Sequence, residues 1–240
     1  GTISVSADGA WGMDAAGGTV VNDTTGIIDL TTANSVGIYV HSGNGENRGV
    51  INFTGENTIG LLAAGGTATN AADITINGTG VVGLYAHGGT VVNASGKTIT
   101  FSNGEAAIKV DSGSGRNAGT INVDGGNLNA ILVSGGNASN DGTIELTSSA
   151  SGSIGMKATA GTATNNGTIT IASNAAGMDV SGSGQVANNK TITVSGANAV
   201  GMSASGGTAT NNSNGTITVT GANAKGMAAS SGTVLNNGTI

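Results

Sequence analysis

Polar and apolar residues alternate along this chain in short bursts, and the bursts recur at a near-constant spacing. In Thr168-Ile169-Thr170-Ile171 every second side chain is apolar, the pattern of a β-strand with one buried face. The pattern returns every 22 to 25 residues, at Ile3, Ile28, Ile51, Ile74, Ile99, Ile121, Ile144, Ile169, Ile192, Ile217 and Ile240. Two positions after each of the first ten stands another apolar residue, from Val5, Leu30 and Phe53 to Val194 and Val219. Periods of this length mark stacked repeats.

A second strand is predicted about ten residues after each isoleucine. Its inward row reads Met13, Ile38, Leu61, Leu84, Ile108, Ile131, Met156, Met178, Met202 and Met227, and takes in all five methionines. That placement makes the methionines a packed core stripe rather than metal or haem ligands. Gly-rich corners such as Ala63-Ala64-Gly65-Gly66 lead to a third strand. It ends on Asn22, Asn47, Asn70, Asn93, Asn117, Asn140, Asn165, Asn188, Asn211 and Asn236. Nine of these ten asparagines lie nine residues after the methionine row, which predicts a stacked position rather than a variable loop. Amides in such a column can donate to and accept from their copies above and below, so the asparagine is read as scaffold.

Three short strands per repeat, held in register, predict an all-β fold: a parallel β-helix of about ten coils of 22–25 residues. The crossover preference predicts a right-handed one. At about 4.8 Å per coil the rod is roughly 48 Å long. One coil cannot bury its apolar face alone, so neighbours share a continuous core. Residues 1–240 read as a single β-helix segment that opens and closes on Gly-Thr-Ile without end caps, hence as a fragment of a longer array. Uncapped solenoids expose strand edges and tend to associate through them.

Composition narrows the function classes. The net charge is −6 with only seven basic residues, which argues against nucleic acid and anionic membrane surfaces as partners. A hydrophobic share of 37 %, with no proline and 8 % charged residues, sets the chain apart from disordered sequences. The lack of cysteine removes disulfides and thiolate metal sites. No apolar run is long enough for a membrane-spanning helix, and the first residues carry no signal-peptide pattern.

Asn165-Asn166-Gly167-Thr168-Ile169-Thr170-Ile171, Gly196-Ala197-Asn198-Ala199-Val200-Gly201-Met202 and Gly206-Gly207-Thr208-Ala209-Thr210-Asn211-Asn212 resemble passenger domains of type V autotransporter adhesins of Gram-negative outer membranes. The resemblance covers all ten repeats. It implies export through a C-terminal outer-membrane barrel, display at the cell surface, and adhesion, cell–cell aggregation or biofilm formation. It also implies that partners are other copies of the rod, met through lateral faces, or a host glycan or protein.

Catalysis on a β-helix needs carboxylates or bases gathered on neighbouring coils. Here Asp14 and Asp179 share an outward row seven coils apart, and Asp29 and Glu145 share another five coils apart. No enzyme activity, cofactor or metal is therefore expected. Calcium-binding repeats need aspartate at fixed places after Gly-Gly, where this chain has Thr or Asn. Paired outward threonines such as Thr168/Thr170, Thr191/Thr193 and Thr216/Thr218 resemble ice-binding faces. Asp29, Asp73 and Glu145 interrupt the rows elsewhere. The outward row beside the methionine column is more informative: Asp14, Tyr39, Leu62, Tyr85, Lys109, Leu132, Lys157, Asp179, Ser203 and Ala228. It carries both tyrosines and two leucines expected to be exposed, and His41 and His87 lie two residues beyond the tyrosines. Apolar and aromatic groups outside a polar rod point to a contact patch of Tyr39, His41, Leu62, Tyr85, His87 and Leu132.

Overall fold

The computed structural model describes residues 1–240 and is all-β, with 24 strands wound into ten coils and no helix. It is a parallel β-helix, as the repeat predicts. Strands pair in parallel with their equivalents in neighbouring coils, for example Thr168–Ile171 with Thr143–Leu146 and Thr191–Val194. First strands form one face, and second and third strands share a 14-stranded sheet. In coils 3, 6, 7 and 8 the second and third strands are separate, as in Ile59–Ala63 and Thr67–Asn70. In the other six coils they run together as one twelve-residue strand, such as Val36–Asn47. There the corner is crossed by a register shift rather than a break.

The core is one cluster of 47 buried residues running the length of the rod. Met156, Met178 and Met202 stack in register and are fully buried, while Met13 and Met227, in the end coils, are half-buried. Asn47 to Asn211 are buried completely. Each Asn of the column donates its Nδ2 to the Oδ1 of the next, from Asn22 to Asn236, over 2.8–3.1 Å. Spare amide hydrogens bind corner carbonyls, such as those of Gly167 and Thr191 from Asn165. Nine consecutive bonds leave no buried amide of the column unpaired, which removes a cost of about 1–3 kcal/mol per unsatisfied group.

A second asparagine column precedes the methionine row by four residues. Asn34, Asn57, Asn127, Asn198 and Asn223 all adopt left-handed backbone, with φ between 53° and 59°. Among non-glycine residues Asn tolerates this region best, so these asparagines turn the chain into the second strand.

The first-strand face is not continuous. It divides between Val50–Phe53 of coil 3 and Ile74–Asn77 of coil 4, which do not pair, leaving sheets of three and seven strands. Coil 4 also departs from most other coils at the step into the first strand. A Cβ on Gly49, Gly119, Gly142 or Gly167 would stand 2.0–2.3 Å from a carbonyl oxygen of the coil below. Coil 4 has Ala72 at that position. Lys97 and Lys190 hold the same position in coils 5 and 9, and there the ladder survives, with the Thr191 N–H to Gly167 bond at 3.2 Å. In coil 4 the next residue, Asp73, turns toward coil 5 instead, where its carboxylate accepts the Thr98 N–H at 2.7 Å. A cleft of about 420 Å³ lies at the division, lined by Asp29, Asn52, Phe53, Asp73 and Thr75 among others.

Candidate functional site

The outward row beside the methionine column is set by a slip in strand alternation. Two successive residues, Gly12 and Met13 in coil 1, both face the core, so Trp11 and Asp14 flank them on the outside. Only a very small residue fits the first of the two: a Cβ on Gly12 would lie 2.8 Å from the Gly37 carbonyl oxygen. The column is Gly in eight coils and Ala at Ala107 and Ala130. This slip brings a row starting at Trp11, buried at Val36, Val82 and Ala106, alongside the outward row starting at Asp14.

In coils 1 and 2 the two rows form an aromatic cluster. Trp11 meets Tyr39 edge-on with ring centroids 4.7 Å apart, and His41 lies 5.4 Å from Trp11 and 3.9 Å from Tyr39. Asp14 holds the His41 Nε2 at 3.3 Å. Trp11, in the end coil, is 49 % exposed, whereas its equivalents Val36, Val82 and Ala106 in coils 2, 4 and 5 are buried. Edge-to-face pairs of this kind stabilise one another by roughly 0.5–1.5 kcal/mol, so the exposed rings are held in place rather than free.

Coils 4 and 5 carry a second, more polar cluster. Tyr85 donates its hydroxyl to Asp111, and the same carboxylate lies 3.0 Å from the His87 Nδ1. Lys109 sits 5.2 Å over the Tyr85 ring and pairs with Glu105 at 2.5 Å. Partial burial, then the bond to Asp111, push the Tyr85 phenol well above its ordinary value, so it stays a donor at any physiological pH. Burial alone would raise the Asp111 carboxyl, but the hydrogen bonds from Tyr85 and His87 outweigh it and hold the group below the usual carboxylate range. His87 thus has Nδ1 anchored and its other nitrogen available to a partner, with the side chain 61 % exposed.

Leu62 joins the clusters, being in register with Tyr39 on one side and Tyr85 on the other. Leu132 stands apart, between Lys109 and Lys157. Both leucines are half-buried rather than exposed, because the side chains above and below in the row shield them. Sequence reasoning passed over Trp11, Asp111 and Glu105. Strict alternation placed no outward row at Trp11, and Asp111 becomes a neighbour of Tyr85 only through the register shift that follows Val110. The clusters supply donors, acceptors and aromatic faces at fixed positions.

A comparison with curated proteins and one with solved structures found no match. A comparison with protein families did find one. Residues 84–215 match the family described as the BigA third pectate lyase-like domain. The match takes in coils 4 to 9, and with them Tyr85, His87, Lys109 and Asp111, whereas Trp11 and Tyr39 precede it. Since it spans more than half of the 240 residues, the chain belongs to the family of the BigA third pectate lyase-like domain.

Proposed function

We propose that this chain is a segment of a surface-displayed bacterial adhesin, exported as an autotransporter passenger, whose β-helix both spaces and makes adhesive contacts. The family supports the surface-adhesin part of this reading, since BigA is an autotransporter-like adhesin. The observation that carries the contact role is the strip of coils 1–5, where Trp11, Tyr39, Leu62 and Tyr85 lie together on an otherwise polar rod. Aromatic anchors with a polar rim are the composition that binding surfaces concentrate. A binding role fits the site better than a lyase role. Of the strip's carboxylates, Asp14 and Asp111 each hold a histidine and lie four coils apart, and Glu105 is paired with Lys109.

The low charge of the rod supports dense display, because like rods repel each other weakly. Weak contacts then sum over many copies on a cell. The reading is tested by displaying the chain on a non-adherent bacterium and scoring both settling of the culture and retention on a host-cell monolayer. Loss of one or both in a Trp11→Ala/Tyr39→Ala/Tyr85→Ala variant that still reaches the surface is the expected result. Full retention and settling by that variant would remove the strip as the contact surface.

A further inference from the structure

The division of the first-strand face leaves two strand edges without partners inside the rod. Val50 and Thr54 donate their N–H groups back to coil 2, to Gly26 and Leu30 over 2.9 and 3.0 Å. Backbone groups alternate in direction along a strand, so the N–H and C=O groups of Ile51 and Phe53 point toward coil 4. No strand of coil 4 pairs with them, and by the same alternation Asp73 and Thr75 turn unmatched groups back toward coil 3. The second and third strands of coils 3 and 4 stay paired, so the opening is confined to this face. It also reaches the core. From Leu30 to Val194 every member of the second apolar row is buried except Phe53, which is only partly covered. Val50, on the rim, is 47 % exposed. Two carboxylates share that rim. Asp29 accepts the Asn52 amide at 2.6 Å and Asp73 the Thr98 N–H at 2.7 Å, neutral donors that leave the charges uncompensated. Neither belongs to any of the rod's five ion pairs, and no basic residue lines the cleft.

We propose that this cleft is a docking site for an extended basic peptide, whose backbone pairs with the free edge of Val50–Phe53. An apolar side chain of the peptide turns inward onto Phe53. The next one, an arginine, turns outward along Val50 and brings its guanidinium to Asp29 and Asp73. Each part of the ligand answers one feature of the cleft. Strand addition to an open edge draws on main-chain hydrogen bonds that any extended peptide offers, so the side chains set the choice. Successive side chains of a strand point to opposite faces, which matches a buried apolar floor beneath a charged rim. A guanidinium carries a fork of donors suited to carboxylates, and its apolar stem lies well on an exposed valine. An acidic peptide would meet two like charges instead. The site lies on the first-strand face and does not depend on the aromatic strip of coils 1–5 being a contact surface.

Fluorescence anisotropy with the labelled peptide TVRVT, beside TVEVT and a TVRVT with N-methylated backbone amides, tests this. Hydrogen exchange of the chain with and without peptide locates the contact. Asp29→Asn/Asp73→Asn keeps both hydrogen-bond acceptors and removes their charges. Asp124→Asn/Asp179→Asn removes as much charge elsewhere on the rod. Circular dichroism melting establishes that each variant is folded. We expect TVRVT to bind and to slow exchange at residues 50–54 and 73–77. Binding should weaken about tenfold or more for TVEVT, for the methylated peptide and for Asp29→Asn/Asp73→Asn, and stay unchanged for Asp124→Asn/Asp179→Asn. Failure of TVRVT to bind at millimolar concentration, or protection confined to other coils, overturns the proposal. Equal loss in the two double variants also overturns it, since attraction to an acidic rod would then account for the binding. Undiminished binding of the methylated peptide overturns it too, because the open edge would then play no part.

Discussion

Asn140 donates its Nδ2 to the Oδ1 of Asn165 over 2.8 Å, and Asn165 passes the same bond on to Asn188. The column is directional: every amide donates toward the later coil, so the dipoles align and reinforce one another. Asn165→Ala breaks the column in its middle and leaves the Asn140 hydrogens, the Asn188 oxygen and the Gly167 carbonyl short of partners. A loss of at least about 2 kcal/mol follows, read as a shift in the denaturation midpoint. Asn236→Ala, at an exposed end, is expected to cost under about 0.5 kcal/mol. Equal costs at the two positions would contradict a cooperative column.

Met178 is fully buried between Met156 and Met202. Replacing it with Asp places a charge in the core with nothing to compensate it, at a cost of roughly 3–5 kcal/mol. Because each coil touches only its neighbours, the damage should centre on coils 7 to 9, visible as lost amide protection there. A native-like melt for Met178→Asp would contradict the inward placement of the row.

The first-strand face divides where coil 4 carries Ala72 and Asp73 at the step into its first strand. Giving coil 4 the Gly-Thr of coils 7 and 8, as Ala72→Gly/Asp73→Thr, should let Ile74–Asn77 pair with Val50–Phe53. A gain of about 1–2 kcal/mol is expected, several hydrogen bonds less the entropy of the new glycine. Hydrogen exchange at residues 50–54 and 73–77 should slow together. Unchanged exchange would mean that the gap has another cause.

Tyr85→Phe removes one donor from Asp111, whose carboxyl should then titrate closer to the usual carboxylate range. In the native chain the folded carboxyl lies below its unfolded value, so its contribution to stability is complete above that range. It is lost as pH falls through the folded value. The variant should lose less stability on acidification, and carboxyl-carbon NMR titration of Asp111 reads the shift directly. An unmoved titration would show that His87 alone holds the carboxylate.

How much of this was legible in the sequence follows from what repeats. The parallel β-helix, its coil number and the inward rows rest on positions that recur ten times, such as Ile169 and Met178, so the period exposes them. What occurs once per rod was harder to see. The gap between Val50–Phe53 and Ile74–Asn77 depends on how two coils stack, which no local pattern records. Trp11 joins Tyr39 because Gly12 and Met13 both turn inward, against strict alternation. Asp111 reaches Tyr85 through a register shift at a corner. The tyrosines and histidines of the patch were visible because they break a polar row; the charges that orient them were not.

Coils 1–5 are proposed to make the adhesive contact. Beads coated with the purified chain, tested for clumping and for retention on a host-cell layer, measure it most directly. They are to be compared with beads carrying Trp11→Ala/Tyr39→Ala/Tyr85→Ala and with beads carrying Thr170→Ala/Thr193→Ala on the first-strand face. The account predicts that the strip variant loses contact while the threonine variant keeps it. Retained contact by the strip variant, with loss in the threonine variant, would contradict the account and move the adhesive face to the other side of the rod.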